Sequence, residues 1–77
     1  MPKLTILSGR KVIQALNKLG FIPVRQSGSH VVLKKESAGG TIGYVVPLHK
    51  ELAIGTLRGI LRQAKVTPQV FLKVIQK

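Results

Sequence analysis

Between residues 21 and 47 the chain sets three runs rich in β-branched residues, 21–26, 30–35 and 41–46, and joins them by short stretches holding Gly28, Gly39 and Gly40. A parallel pairing needs a crossover of about a dozen residues or more, and neither connection has room for one. The three runs are therefore expected to form an antiparallel meander. Pro23 cannot donate to a ladder, which sends the first run to an edge, and Pro47 closes the third. Alternation along the middle run puts Val31, Leu33 and Lys35 on one face and His30, Val32 and Lys34 on the other. With Val31 and Leu33 turned to a core, His30 and Lys34 share the outer face.

Helical patterns flank the meander. After an extended lead-in over residues 1–7, Ser8 is placed as an N-cap, and Val12, Ile13, Leu16 and Leu19 recur at helical spacing, which predicts a helix over 9–19. Gly20 supplies the left-handed residue that closes it, and Phe21 the apolar contact that follows. Beyond the third strand, residues 48–54 read as a loop and Gly55-Thr56 as the start of a second helix, capped by Thr56. Its apolar stripe is Leu57, Ile60, Leu61 and Ala64, while Arg58, Arg62 and Lys65 form a basic stripe on one flank. Thr67-Pro68 launches a short last helix whose apolar residues, among them Phe71, Leu72, Val74 and Ile75, cover more than half its circumference. Such a helix needs burial on two sides or a partner. The expected fold is α+β, ordered α-β-β-β-α with a short C-terminal helix. A three-stranded antiparallel sheet carries the helices on one face, in the layout of a double-stranded-RNA-binding domain. At 77 residues the whole chain, 1–77, is expected to be a single domain of modest stability.

Thirteen lysines and arginines against two acids leave a formal charge of +11, which calls for a polyanion or an acidic protein as counterpart, with a membrane surface as a third candidate. No apolar run approaches the ~18 residues of a spanning helix, and the first residues lack the apolar core of a signal peptide. A soluble cytoplasmic protein without membrane association is the expectation. The absence of cysteine rules out disulfides and thiolate metal sites, and two histidines with two acids are too few for a structural zinc site. No metal and no cofactor is expected.

The stretch Gln26-Ser27-Gly28-Ser29-His30 is where chemistry can concentrate. Its glycine and serines form a tight connection that delivers His30 at the first position of a strand, on the open face. A lone histidine is more often a surface or capping residue. Here the open face, the positive surroundings and a turn that lets a phosphate approach backbone N–H groups at Gly28 and Ser29 favour a functional one. Other candidates fall away. Glu36 and Glu51 have no spacing relation fit for a two-carboxylate hydrolase, and no acid is placed to orient His30 toward Ser27 or Ser29. His49, after Pro47, reads as a loop residue contacting backbone. The stripe Arg58, Arg62 and Lys65 has almost no opposite charge to pair with, so phosphates or a partner's acidic residues explain it better than intrahelical ion pairs. With Phe21, Tyr44 and Phe71 the only aromatics, backbone and shape recognition should outweigh base stacking.

Taken together, Ser8-Gly9, Leu19-Gly20-Phe21, Arg25-Gln26 before Gly28-Ser29-His30, Val46-Pro47-Leu48-His49, and Gly55-Thr56-Leu57-Arg58 with Ile60-Leu61-Arg62-Gln63-Ala64 resemble the HicA toxins over nearly the whole chain. The resemblance implies a double-stranded-RNA-binding-like fold, an mRNA interferase that cleaves RNA without metal and so inhibits translation, and a HicB-type antitoxin that masks the active site. The family's catalytic histidine follows Gly-Ser, which is His30. Lys65 departs from the glycine common at the end of that helix. Under this reading His30 takes the proton of a ribose 2′-OH, Gly28 and Ser29 position the phosphate, Lys34 offsets developing charge, and Arg58, Arg62 and Lys65 hold the RNA backbone. The rivals are a non-catalytic RNA-binding module, in which His30 only contacts phosphate, and a small basic subunit of a protein complex.

Overall fold

The computed structural model describes residue 4 and residues 6–75, so part of the predicted lead-in, residues 1–3 and 5, lies outside the described residues. Six elements follow in the expected order: α1 (Gly9–Lys18), β1 (Ile22–Ser27), β2 (His30–Ser37), β3 (Gly40–Pro47), α2 (Ile54–Ala64) and α3 (Pro68–Ile75). Ser8 caps α1 as its position predicts, its Oγ accepting from the Lys11 N–H at 3.1 Å. The helix closes on Gly20, whose φ of +103° is a left-handed conformation that costs glycine nothing. There the N–H of Phe21 reaches the carbonyl of Leu16 and that of Gly20 the carbonyl of Asn17, both at 3.0 Å, so the last carbonyls of α1 are satisfied.

The meander is a three-stranded antiparallel sheet in the order β1-β2-β3. β1, with Pro23, takes an edge, and a bulge between Pro23 and Arg25 bends it. The second turn is tighter than the sequence suggests: Ser37 pairs with Gly40, so Glu36 and Ser37 belong to β2 and Gly40 to β3. Gly40, at φ +124°, makes that short connection possible. The sheet buries Val31, Leu33 and Val46 against Val12, Leu16, Leu57, Ile60 and Leu61 of the helices, with Phe21 and Phe71 in the same core. Lys35 lies on this face too, but at its rim, with its ammonium 5.7 Å from the centre of the Phe21 ring. The opposite face is open.

The start of α2 differs from the expectation. The helix begins at Ile54, its N-cap is Ala53 with no side-chain capping bond, and Thr56 is an exposed residue of the first turn. Tertiary anchoring sets this boundary. Leu52 is buried and its N–H donates to the Leu7 carbonyl at 2.7 Å, fixing the chain two residues before the helix begins. The other cap is as expected, with the Val70 N–H donating to Thr67 Oγ1 at 3.2 Å. Only Phe71 of α3 is buried; Leu72, Val74 and Ile75 are half-covered and Val70 is exposed. No helix among the described residues is long and apolar enough to cross a membrane.

Candidate functional site

The hairpin tip joins Ser27 to His30 through Gly28 and Ser29. Gly28 has a φ of +58°, whereas Ser29 is not among the residues with positive φ, the pattern of a type II′ turn that needs glycine first. Two hydrogen bonds brace the tip: Gln26 Nε2 donates to the Gly28 carbonyl at 3.2 Å, and the Leu48 N–H donates to the Ser29 carbonyl at 2.6 Å. His30 then opens the central strand, paired with Ser27 on one side and Pro47 on the other. It is exposed on the face opposite Val31 and Leu33, as alternation predicts. Gly28, Ser29 and His30 are thus brought together.

The register separates the cations of this face by their distance from His30. Arg25 pairs with Val32, so it projects to the same side as His30 and stands diagonal to it, with backbones about 7–8 Å apart and within reach of a long side chain. Lys34 also faces outward, but four residues along a strand rising about 3.3 Å each puts it ~13 Å from His30. It belongs to an open hollow of about 650 Å³ shared with Ile22, Val24, Glu36 and Thr41, with Gly20 at its rim. Sequence reasoning missed Arg25 as a site residue because the strand pairing, which the two-residue turn dictates, was needed to bring it beside His30. Among the described residues, no three His, Cys, Asp or Glu side chains converge on one point.

On the far side of His30 lies the segment after β3. A groove of about 460 Å³ is lined by Ser8, Arg10, Leu48, His49 and Lys50. The His49 carbonyl accepts from the Gly9 N–H at 2.8 Å, a main-chain contact, and the residue lines the groove together with Arg10 and Lys50. Because Leu48 binds Ser29 and Pro47 pairs with His30, Arg10 and Lys50 extend the positive surface from the hairpin tip. Neither stood out in the sequence, where they belong to a helix start and a loop. Arg58 and Arg62, by contrast, line a different groove with Leu61, Val66 and Pro68. Lys65 ends α2 in a left-handed conformation, φ 59° and ψ 38°, despite its side chain. The basic stripe of α2 is therefore real, but it opens onto its own hollow and not the one at the hairpin tip. The family model for the HicA toxin of bacterial toxin-antitoxin matches residues 9–66, while no curated protein matches the chain.

Proposed function

The chain belongs to the HicA toxins of bacterial toxin-antitoxin systems, and from that membership we propose that it is an mRNA interferase, a metal-independent endoribonuclease acting in the cytoplasm and restrained by a HicB-type antitoxin. The observation that carries the reading is His30 itself: an exposed imidazole at the start of the central strand, beside a glycine turn, on a face whose near cation is Arg25. Glu36 lies six residues further along β2, about 20 Å away at the rise of a strand, so no carboxylate of that strand competes for the proton.

In the proposed reaction an imidazole nitrogen of His30 removes the proton of a ribose 2′-OH, and the freed oxygen attacks the adjacent phosphorus. The bond to the 5′-oxygen breaks. Returning the proton to that oxygen restores neutral His30 and leaves a 2′,3′-cyclic phosphate and a 5′-hydroxyl end. A positioned base contributes about 10²–10⁴-fold to such a step. Gly28 and Ser29 let the phosphate approach the main chain, and Arg25 offsets the charge that builds on its oxygens. Lys34, Arg10 and Lys50 hold neighbouring phosphates. Lys34 moves in this reading from the attacked phosphate to a flanking one, because ~13 Å exceeds what one lysine spans.

The test is an RNA digest with the wild-type chain and His30→Ala, alongside a substrate lacking 2′-OH groups. Cleavage should vanish in both cases and the products should carry cyclic phosphate ends. Undiminished cutting by the variant, or cutting of the deoxy substrate, defeats the mechanism. RNA binding without any fragments would make the chain a non-catalytic binding module.

A further inference from the structure

α3 lies beyond the stretch that the family model matches, and its first residue closes a groove at the elbow between α2 and α3. The groove holds about 230 Å³, room for one large side chain. Its floor is apolar, made by Leu61, Val66 and Pro68, and its wall is made by Arg58 and Arg62. Guanidinium groups over an apolar floor suit a ligand that is both greasy and acidic, since arginine pairs bidentately with carboxylates and tolerates a partly dry setting.

Two further observations concern the same elbow. Lys65 is the one non-glycine among the described residues with positive φ, and it continues the row of Arg58 and Arg62. Strained backbone of this kind persists at ligand clamps, where the side chain has a use that glycine cannot supply. α3 is also poorly covered for so apolar a helix, with Val70 exposed on its first turn. An RNA backbone would use the cations but has nothing to place on the floor. The chain's two acids, Glu36 in β2 and Glu51 before α2, do not line this groove, whose charged residues are both arginines.

We propose that the α2–α3 elbow is a protein-docking groove for a segment of an acidic partner in which a large apolar residue is bracketed by aspartate or glutamate. The apolar side chain fills the hollow over Leu61 and Val66, and the carboxylates pair with Arg58, Arg62 and Lys65. The site is separate from His30 and does not depend on its chemistry.

The experiment is an NMR titration of the full ¹⁵N-labelled chain with three probes: the peptide DELFED, its analogue with serines in place of leucine and phenylalanine, and 2′-O-methyl oligouridine, which cannot be cut. The first peptide should move the amide signals of Leu61, Arg62, Val66 and Val70 and leave Gly28 and Ser29 in place. The serine analogue, and the first peptide on the exposed double variant R58E/R62E, should each bind at least about tenfold more weakly. Lys65→Gly should weaken binding several-fold while raising the melting temperature, which separates lost contact from lost fold. Absence of shifts at the elbow, equal binding of both peptides, or oligouridine moving the elbow signals more than the peptide would overturn the proposal. Oligouridine that binds nowhere, with the peptide still at the elbow, would sink the nuclease reading and leave the docking groove standing.

Discussion

Gly9→Ala adds a single methyl group, yet the structure predicts a large loss of stability. Gly9 is buried at the start of α1, and its N–H donates to the His49 carbonyl at 2.8 Å. A Cβ there would overlap the Pro47 carbonyl oxygen and come within 2.9 Å of the Pro47 carbonyl carbon and 3.0 Å of the Leu48 Cα. All three are backbone atoms, so no side chain can rotate away. Either α1 or the segment after β3 must shift. Overpacking of this kind costs about 1–3 kcal/mol, and a weakened Gly9–His49 hydrogen bond about 0.5–1.5 kcal/mol more. Restricting the unfolded chain returns about 0.4–1 kcal/mol, so the net loss centres near 2 kcal/mol. For a domain of this size that lowers the melting temperature by about 8–16 °C.

Gly59→Ala is the matching control. It makes the same chemical change inside α2, where an added Cβ meets nothing within 4 Å. Alanine is the better helix former by about 0.5–1 kcal/mol, so this variant should melt higher. Thermal unfolding followed by circular dichroism reads both. The displaced segment also carries Leu48, which braces Ser29, so Gly9→Ala should cut RNA more slowly even where it remains folded. If Gly9→Ala melts within ~2 °C of the wild type, or if both substitutions shift the melt in the same direction, the close approach of α1 to Pro47 is not what Gly9 is for.

Three other outcomes follow from the same geometry. Arg25→Ala should lower the rate of RNA cleavage at least about tenfold with folding unchanged, whereas Lys34→Ala should act mainly on KM; equal effects on kcat would put both at the same phosphate. Lys65→Gly relieves a left-handed lysine, worth ~1–2 kcal/mol, against glycine's greater freedom when unfolded, so it should gain about 0.5–1 kcal/mol in urea denaturation; a loss would mean the αL conformation carries no strain. If three phosphates are held, RNA affinity measured by anisotropy should fall roughly twentyfold for a fourfold rise in salt, and a flat profile would exclude phosphate contacts as the source of binding.

What the sequence made legible were features with a local cause. Ser8 and Thr67 cap their helices because a hydroxyl next to a helical pattern has few other uses, and Gly20 closes α1 because only glycine enters its conformation freely. The facing of His30 followed from alternation alone. Features that depend on distant segments were not legible. The start of α2 is fixed by Leu52 binding Leu7, which outweighs the capping preference of Thr56. Arg25 becomes a neighbour of His30 only through the register that the turn sets, and the bulge after Pro23 then shifts the pairing of Ile22 and Pro23 by one residue. The row Arg58, Arg62 and Lys65 was visible as helical spacing, but the floor that gives it a shape comes from Val66 and Pro68 in the following connection.

The site at the hairpin tip is held in a way that suits a chain too small for a polar interior. No polar or charged residue is buried among those described, so no buried side-chain network exists to orient an imidazole. Main-chain bonds do that work instead. His30 lies between Ser27 and Pro47 in the middle strand, Gln26 and Leu48 fix the turn before it, and Gly9 pins the segment that supplies Leu48. A slip of one residue along β2 would send His30 to the core face and Val31 outward, so burial of Val31 and Leu33 enforces the register. The cations have looser requirements, because long side chains on an exposed face can follow a phosphate backbone over several ångströms. The proton transfer proposed for His30 tolerates less drift, and it is the main chain that holds this tip, through the close approach at Gly9 and the left-handed Gly28 of the turn, while the charge sits on exposed arginines and lysines.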